Sequence, residues 1–124
     1  MATRQEVAEF LDTFKVCSSM LGRYSIKDRK KNRQALIDLG ISADQRFEVL
    51  MGLEPDDYVA GPKPDHTDSS KEVWEFGKTV EGTDVYIKLQ VAQHRRKRNV
   101  HYAVVWSFHP AEFALRYPLR GGGS

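Results

Sequence analysis

Apolar residues recur with a helical period at the start of the chain. Val7, Phe10, Leu11, Phe14, Cys17 and Leu21 follow i, i+3, i+4, i+7 spacing. They predict an amphipathic helix that stops at Gly22. Ala35, Leu36 and Leu39 form a shorter stripe and predict a helix over about 29–39, ended by Gly40. Ser42 and Gln45 form a capping box, in which each side chain satisfies a free amide of the other residue. That box predicts a helix to about Met51, with Phe47, Leu50 and Leu53 inward and Gly52 closing it.

The period then changes. Residues 54–72 are dense in Pro and Gly and predict a long connection, of a length that is often functional and otherwise serves as a linker. Beyond it the alternation has period two. Residues 73–80 predict a strand with Trp74 and Phe76 on one face, and Glu81-Gly82 predicts a tight turn. Residues 84–91 predict a second strand. Val85, Ile87, Leu89 and Val91 point one way, and Tyr86, Lys88 and Gln90 the other. Residues 100–109 predict a third strand, ended by Pro110. Strict alternation puts Val100, Tyr102, Val104, Trp106 and Phe108 on one face of it. His101, Ala103, Val105, Ser107 and His109 fall on the other. Helices followed by hairpin-connected strands predict an α+β fold, with N-terminal helices packed on a small antiparallel sheet. The expected organisation is one domain over 1–120 and a flexible tail over 121–124.

Composition narrows the function classes. The 124 residues are 40% hydrophobic and 29% charged, enough for one core. No stretch approaches the roughly 20 apolar residues of a membrane helix, so no membrane partner is expected. Arg4, Glu6, Glu9 and Asp12 interrupt any secretory apolar region. Cys17 is the only cysteine, which excludes a disulfide framework and points to the cytoplasm. Residues 1–84 carry 12 Lys/Arg against 16 Asp/Glu, while residues 85–124 carry 7 against Glu112 alone. Such asymmetry fits a polyanionic partner, although solvated surface explains each basic run separately. The runs are Arg95, Arg96, Lys97 and Arg98 in the 94–98 loop, and Lys27, Arg29, Lys30, Lys31 and Arg33 earlier.

The polar face of the sheet carries the candidate chemistry. Pairing of the last two strands puts Tyr86, Lys88, Ser107 and His109 on one side, and the Glu81-Gly82 turn sets Glu75 across from Lys88. A phenol, an ammonium and an imidazole suffice to cleave RNA without a metal. One group removes the 2′-OH proton, another protonates the 5′-oxygen, and cations stabilise the phosphorane. His109 is the natural proton-transfer group, Lys88 the charge stabiliser, and Tyr86 a proton donor or a stacking surface. The alternative is a solvated strand face with a structural His109. His66, His94, His101 and His109 lack a metal-ligand pattern, so neither metal nor cofactor is expected.

Three stretches resemble the MqsR family of type II toxins. They are Ala35–Gly61, with its Val-Leu-Met-Gly-Leu-Glu-Pro-Asp-Asp-Tyr run, Val85-Tyr-Ile-Lys-Leu89, and Val105-Trp-Ser-Phe-His-Pro-Ala-Glu112. The resemblance spans roughly residues 35–117. It implies a RelE-like fold and an mRNA-cleaving toxin held inactive by a cognate antitoxin, with the ribosome as a further candidate partner. Tyr86 and Lys88 match the family's strand tyrosine and the lysine two residues on. His109 stands where the family has a catalytic lysine. The family's glutamine falls nearest Glu72 or Glu75, and Lys63 and His66 lie in the corresponding loop. Arg116, Tyr117 and Arg120 follow the last strand, as phosphate contacts or as packing. The expected activity is a metal-independent endoribonuclease that leaves a 2′,3′-cyclic phosphate, with Arg95–Arg98 tracking the RNA backbone. The competing expectation is a non-catalytic RNA- or protein-binding module that uses the 94–98 loop.

Overall fold

The computed structural model describes residues 1–68 and 71–122. It contains α1 (Arg4–Ser18), β1 (Tyr24–Ile26), α2 (Lys30–Leu39), α3 (Ala43–Met51), β2 (Tyr58–Pro64), β3 (Glu72–Val80), β4 (Thr83–Gln93) and β5 (His101–Pro110). The five strands form one mixed sheet in the order β1-β5-β4-β3-β2. The fold is therefore α+β with three helices, as the change of period predicted. The sheet has two more strands than the alternation showed, and it is not purely antiparallel, because β1 runs parallel to β5.

Both extra strands are hidden in sequence for physical reasons. β1 has only three residues and is held by long-range pairing, Tyr24 with Ala103 and Ile26 with Val105. β2 lies inside the stretch expected to be a connection. Its Gly61, Pro62 and Pro64 are tolerated because it is an edge strand with two register shifts. Ser69 and Ser70, in that same stretch, lie outside the described residues. So do Gly123 and Ser124 of the expected tail, whereas Arg120–Gly122 form a short 3₁₀ turn.

The helices form where their caps allow. Thr3 and Glu6 make a capping box on α1, and Ser42 and Gln45 make the predicted one on α3. Gly40 ends α2 in the left-handed conformation. α1 stops at Ser18, one turn earlier than expected, and Leu21 is fully exposed instead of lying on the apolar face.

Val7, Leu11 and Phe14 of α1 pack on one sheet face made by Phe76, Val85, Ile87, Leu89, Val105 and Phe108. Ala35, Leu39 and Leu50 extend this core from α2 and α3. Cys17 is buried in it, as its place on the stripe predicted. Phe10 closes the edge by stacking on Trp74, with ring centroids 4.6 Å apart.

The other face of the sheet is the relevant one. β3 and β4 are joined by the predicted two-residue turn, in which Glu81 and Gly82 both have positive φ. This fixes the register Glu75–Lys88 and Gly77–Tyr86. In the β4–β5 pair, Tyr86 faces His109 and Lys88 faces Ser107. The register then slips by one between Lys88 and Leu89, so that Leu89 faces Val105. Trp106 is the extra residue. The expected alternation of β5 holds from Ser107 to His109 and is wrong before it: Ala103 and Val105 join Phe108 in the core, while Trp106 and Val104 turn to the face that carries His109.

Candidate active site

The open face is built from β3, β4 and β5. The Tyr86 hydroxyl donates to Glu75 Oε2, and Lys63 Nζ lies 2.8 Å from Glu75 Oε1. After the two one-residue shifts of β2, Lys63, read from sequence as a loop residue, lies over this carboxylate. Lys88 stands directly across the ladder from Glu75. The His109 ring lies beside the Tyr86 ring, with centroids 5.6 Å apart.

Electrostatics sets the protonation of the pair. Burial pushes the Glu75 carboxyl up, but hydrogen bonds from Lys63 and Tyr86, with the charges of Lys63 and Lys88, outweigh it. The net effect is a lowered pKa, and Glu75 is ionised at neutral pH. Tyr86 moves the opposite way. Burial, then the hydrogen bond to Glu75 and its charge, raise the phenol well above its ordinary value, against a smaller pull from Arg29. Tyr86 is a neutral donor, and each Glu75 oxygen keeps a second lone pair.

His109 Nδ1 is 2.9 Å from the Pro110 carbonyl oxygen. A carbonyl only accepts, so Nδ1 carries the proton and Nε2 is the nitrogen that exchanges one. A cleft of about 160 Å³ lies beside it, lined by Tyr86, His109, Ala111, Glu112, Phe113 and Leu115. Lys31 of α2 anchors the cleft wall by pairing with Glu112 at 2.7 Å. The C-terminal segment crosses the sheet just below this point because residue 77 is glycine. A Cβ there would come within 2.5 Å of Leu115 and 2.6 Å of the Tyr117 hydroxyl.

No family model matches the chain, and no curated protein or solved structure matches it either.

The structure thus brings Tyr86, Lys88 and His109 together on the face their alternation predicted, and adds Lys63 from strand β2 instead of from a loop. It separates the others from them. Arg95, Arg96, Lys97 and Arg98 are exposed at the far end of the β4–β5 hairpin. Gln93, where β4 ends just before this run, is seven residues along the strand from Tyr86, roughly 23 Å at the rise of a strand. His66 is exposed in the turn after β2, where Asp65 next to it accepts from Gln90 Nε2 at 3.0 Å. Arg116 is exposed beyond β5. Arg120 lies over the Tyr117 ring and pairs with buried Asp57 at 3.6 Å, so it ties the C-terminal segment to the turn before β2.

Sequence reasoning left Glu75 as one of two neighbours of a family position, and the Tyr86 and Lys63 contacts single it out. It missed the Trp106 corner altogether. There the indole Nε1 donates to Gln90 Oε1 at 3.1 Å, and Lys27 Nζ and Arg29 Cζ sit 4.6 and 5.2 Å from the ring centroid. A signal existed, because both alternating sets of β5 are apolar around 103–106, which leaves the phase undetermined. Among the described residues, no group of three His, Cys, Asp or Glu side chains is placed to hold a metal ion. No helix among them is long and apolar enough to cross a membrane.

Proposed function

We propose that this chain is a RelE-like endoribonuclease of the MqsR type, the toxin of a type II toxin–antitoxin pair, acting on single-stranded mRNA in the cytoplasm. One observation carries the reading: Lys63, Glu75, Tyr86, Lys88 and His109 converge on one open sheet face, with the carboxylate ionised and the phenol neutral.

The step balances with these groups alone. Glu75 accepts the 2′-OH proton as that oxygen attacks phosphorus. The bond from phosphorus to the 5′-oxygen breaks, and the leaving oxygen takes a proton from His109 Nε2. The products are a 2′,3′-cyclic phosphate and a 5′-hydroxyl. Lys88 and Lys63 stabilise the charge on the phosphorane. Tyr86 holds Glu75 in place and keeps it ionised. His109 replaces the lysine of the resembled family as the acid, and Glu75 replaces its glutamine with a group that can act as a base. The basic 94–98 loop receives the RNA backbone beyond the site. A cognate antitoxin and the ribosome are the partners this reading implies.

The test is incubation of purified protein with long single-stranded RNA in excess EDTA, beside Glu75→Gln and His109→Ala. Discrete cuts with cyclic-phosphate ends, lost in both variants, are expected. Cuts that persist in both variants, or a strict need for Mg²⁺, would overturn the mechanism. No cuts with RNA alone or with translating ribosomes, while RNA still binds through Arg95–Arg98, would make the chain a binding module.

A further inference from the structure

Trp106 is exposed to solvent in part and lies outside the hydrophobic core, although its neighbours Val105 and Phe108 are inside it. The bulge aims it onto the face that carries the proposed ribonuclease site. Its ring is fixed at two levels. The indole donates to Gln90, whose amide in turn donates to Asp65 at 3.0 Å. The backbone beneath is held by buried Asn32, which donates to the carbonyls of both Trp106 and Lys27 at 3.0 Å. Asn32 thus clamps the Lys27–Arg29 segment against the indole. Both cations rest over the ring, and among the described residues neither forms a salt bridge with a carboxylate.

A fixed indole flanked by two exposed, carboxylate-free cations is the chemistry that takes an unpaired nucleobase and its flanking phosphates. We propose that Trp106 is a nucleobase-stacking platform, with Lys27 and Arg29 as phosphate ligands. It forms a subsite for a nucleotide next to the cleaved bond. Trp106 precedes His109 by three residues in β5, about 10 Å along the strand, so the base it holds is a neighbour of the one at the scissile phosphate. In the free protein Lys27 and Arg29 cover the ring. On binding, the base takes the ring face and the cations move to the phosphates. The subsite also lies on the path from Tyr86 to the 94–98 loop, so it gives the RNA strand a direction across the face. This inference rests on the ribonuclease reading.

The experiment uses a short single-stranded RNA with 2′-O-methyl groups, which lack the nucleophile and are not cut. Its affinity is measured by fluorescence anisotropy for the natural chain, Trp106→Ala and Trp106→Phe, with thermal midpoints recorded for each. Trp106→Ala should bind roughly 5- to 150-fold more weakly, the range for loss of one base stack. Trp106→Phe should recover most of that loss. A single abasic position walked along the RNA should weaken binding by the natural chain at one place only, and Trp106→Ala should be indifferent to that place. Lys27→Gln and Arg29→Gln should each lower the salt slope of binding by about one. Equal affinity of Trp106→Ala and the natural chain, or a flat abasic walk with an RNA that the natural chain binds and its unmethylated form is cut, would overturn the platform and leave the ribonuclease standing. No binding of any single-stranded RNA would overturn both. The abasic walk needs only the natural chain, so it decides the matter even where Trp106→Ala fails to fold.

Discussion

The Asn32 side chain donates to the carbonyl of Trp106 and accepts from the amide of Phe108, both at 3.0 Å, and so bridges the two sides of the β5 bulge. A helix residue thereby takes the place of a strand partner where β1 has ended. Removing a buried partner of this kind leaves ladder groups unsatisfied. Asn32→Ala should lower the unfolding free energy by about 1–3 kcal/mol, measured by urea denaturation. A change within a few tenths would mean that water replaces the amide.

Glu75 is the proposed base, and its neutral isostere tests that role. Glu75→Gln keeps the shape and can still accept from Tyr86, so folding should hold. Cleavage should fall about 10²- to 10⁴-fold, the usual contribution of a positioned acid–base group. Affinity for uncleavable RNA should change far less. A rate within a few-fold of the natural chain would move the base elsewhere on the face.

Tyr86→Phe separates orientation from chemistry. The Tyr86 hydrogen bond is one of the interactions that lower the Glu75 pKa. Without it that pKa rises, so the acid limb of the rate profile should move to higher pH as the plateau drops. A plateau drop with an unmoved acid limb would mean that Tyr86 acts on the phosphate and not through Glu75.

The helices, the β3–β4 hairpin and the shared face of Tyr86, Lys88 and His109 were legible because each rests on local chemistry: caps, a turn with two positive φ values, and period-two alternation. What escaped depends on distant partners. Nothing in Tyr24–Ile26 announces a strand until Ala103–Val105 lie beside it. The run Gly61-Pro-Lys-Pro64 reads as a loop because its edge pairing with β3 is irregular. The bulge was missed because Val104 and Val105 are both apolar and either could be core, so the alternation left the phase of β5 open. The Lys63–Glu75 contact is a consequence of the β2 irregularity, and it was lost along with that strand.

Asp65 makes a separate prediction about pH. Hydrogen bonds lower its carboxyl to about 2 from an ordinary 3.8, the amide of Thr67 contributing most and Gln90 also donating. A depressed pKa in the folded state adds stability that is full above the unfolded value and fades as pH falls toward the folded one. Asp65→Asn should therefore be less stable than the natural chain at pH 7. The difference should shrink between about pH 4 and pH 2 in thermal melts across that range. A difference that stays constant to pH 2 would assign it to packing of the 65–68 turn.

The parallel pairing of Tyr24 with Ala103 joins positions 24 and 103, with about two thirds of the chain between them. Closing so large a loop is entropically demanding, and such contacts slow folding. Helices and hairpins can form early from neighbours, but β1 has no partner until β5 is in place. Lys27 and Arg29 follow β1 directly, so they reach Trp106 only when this last edge closes. A partly folded chain would therefore carry the Tyr86 hairpin without the cations of the proposed RNA track. Activity regained during refolding should lag behind the return of helical signal.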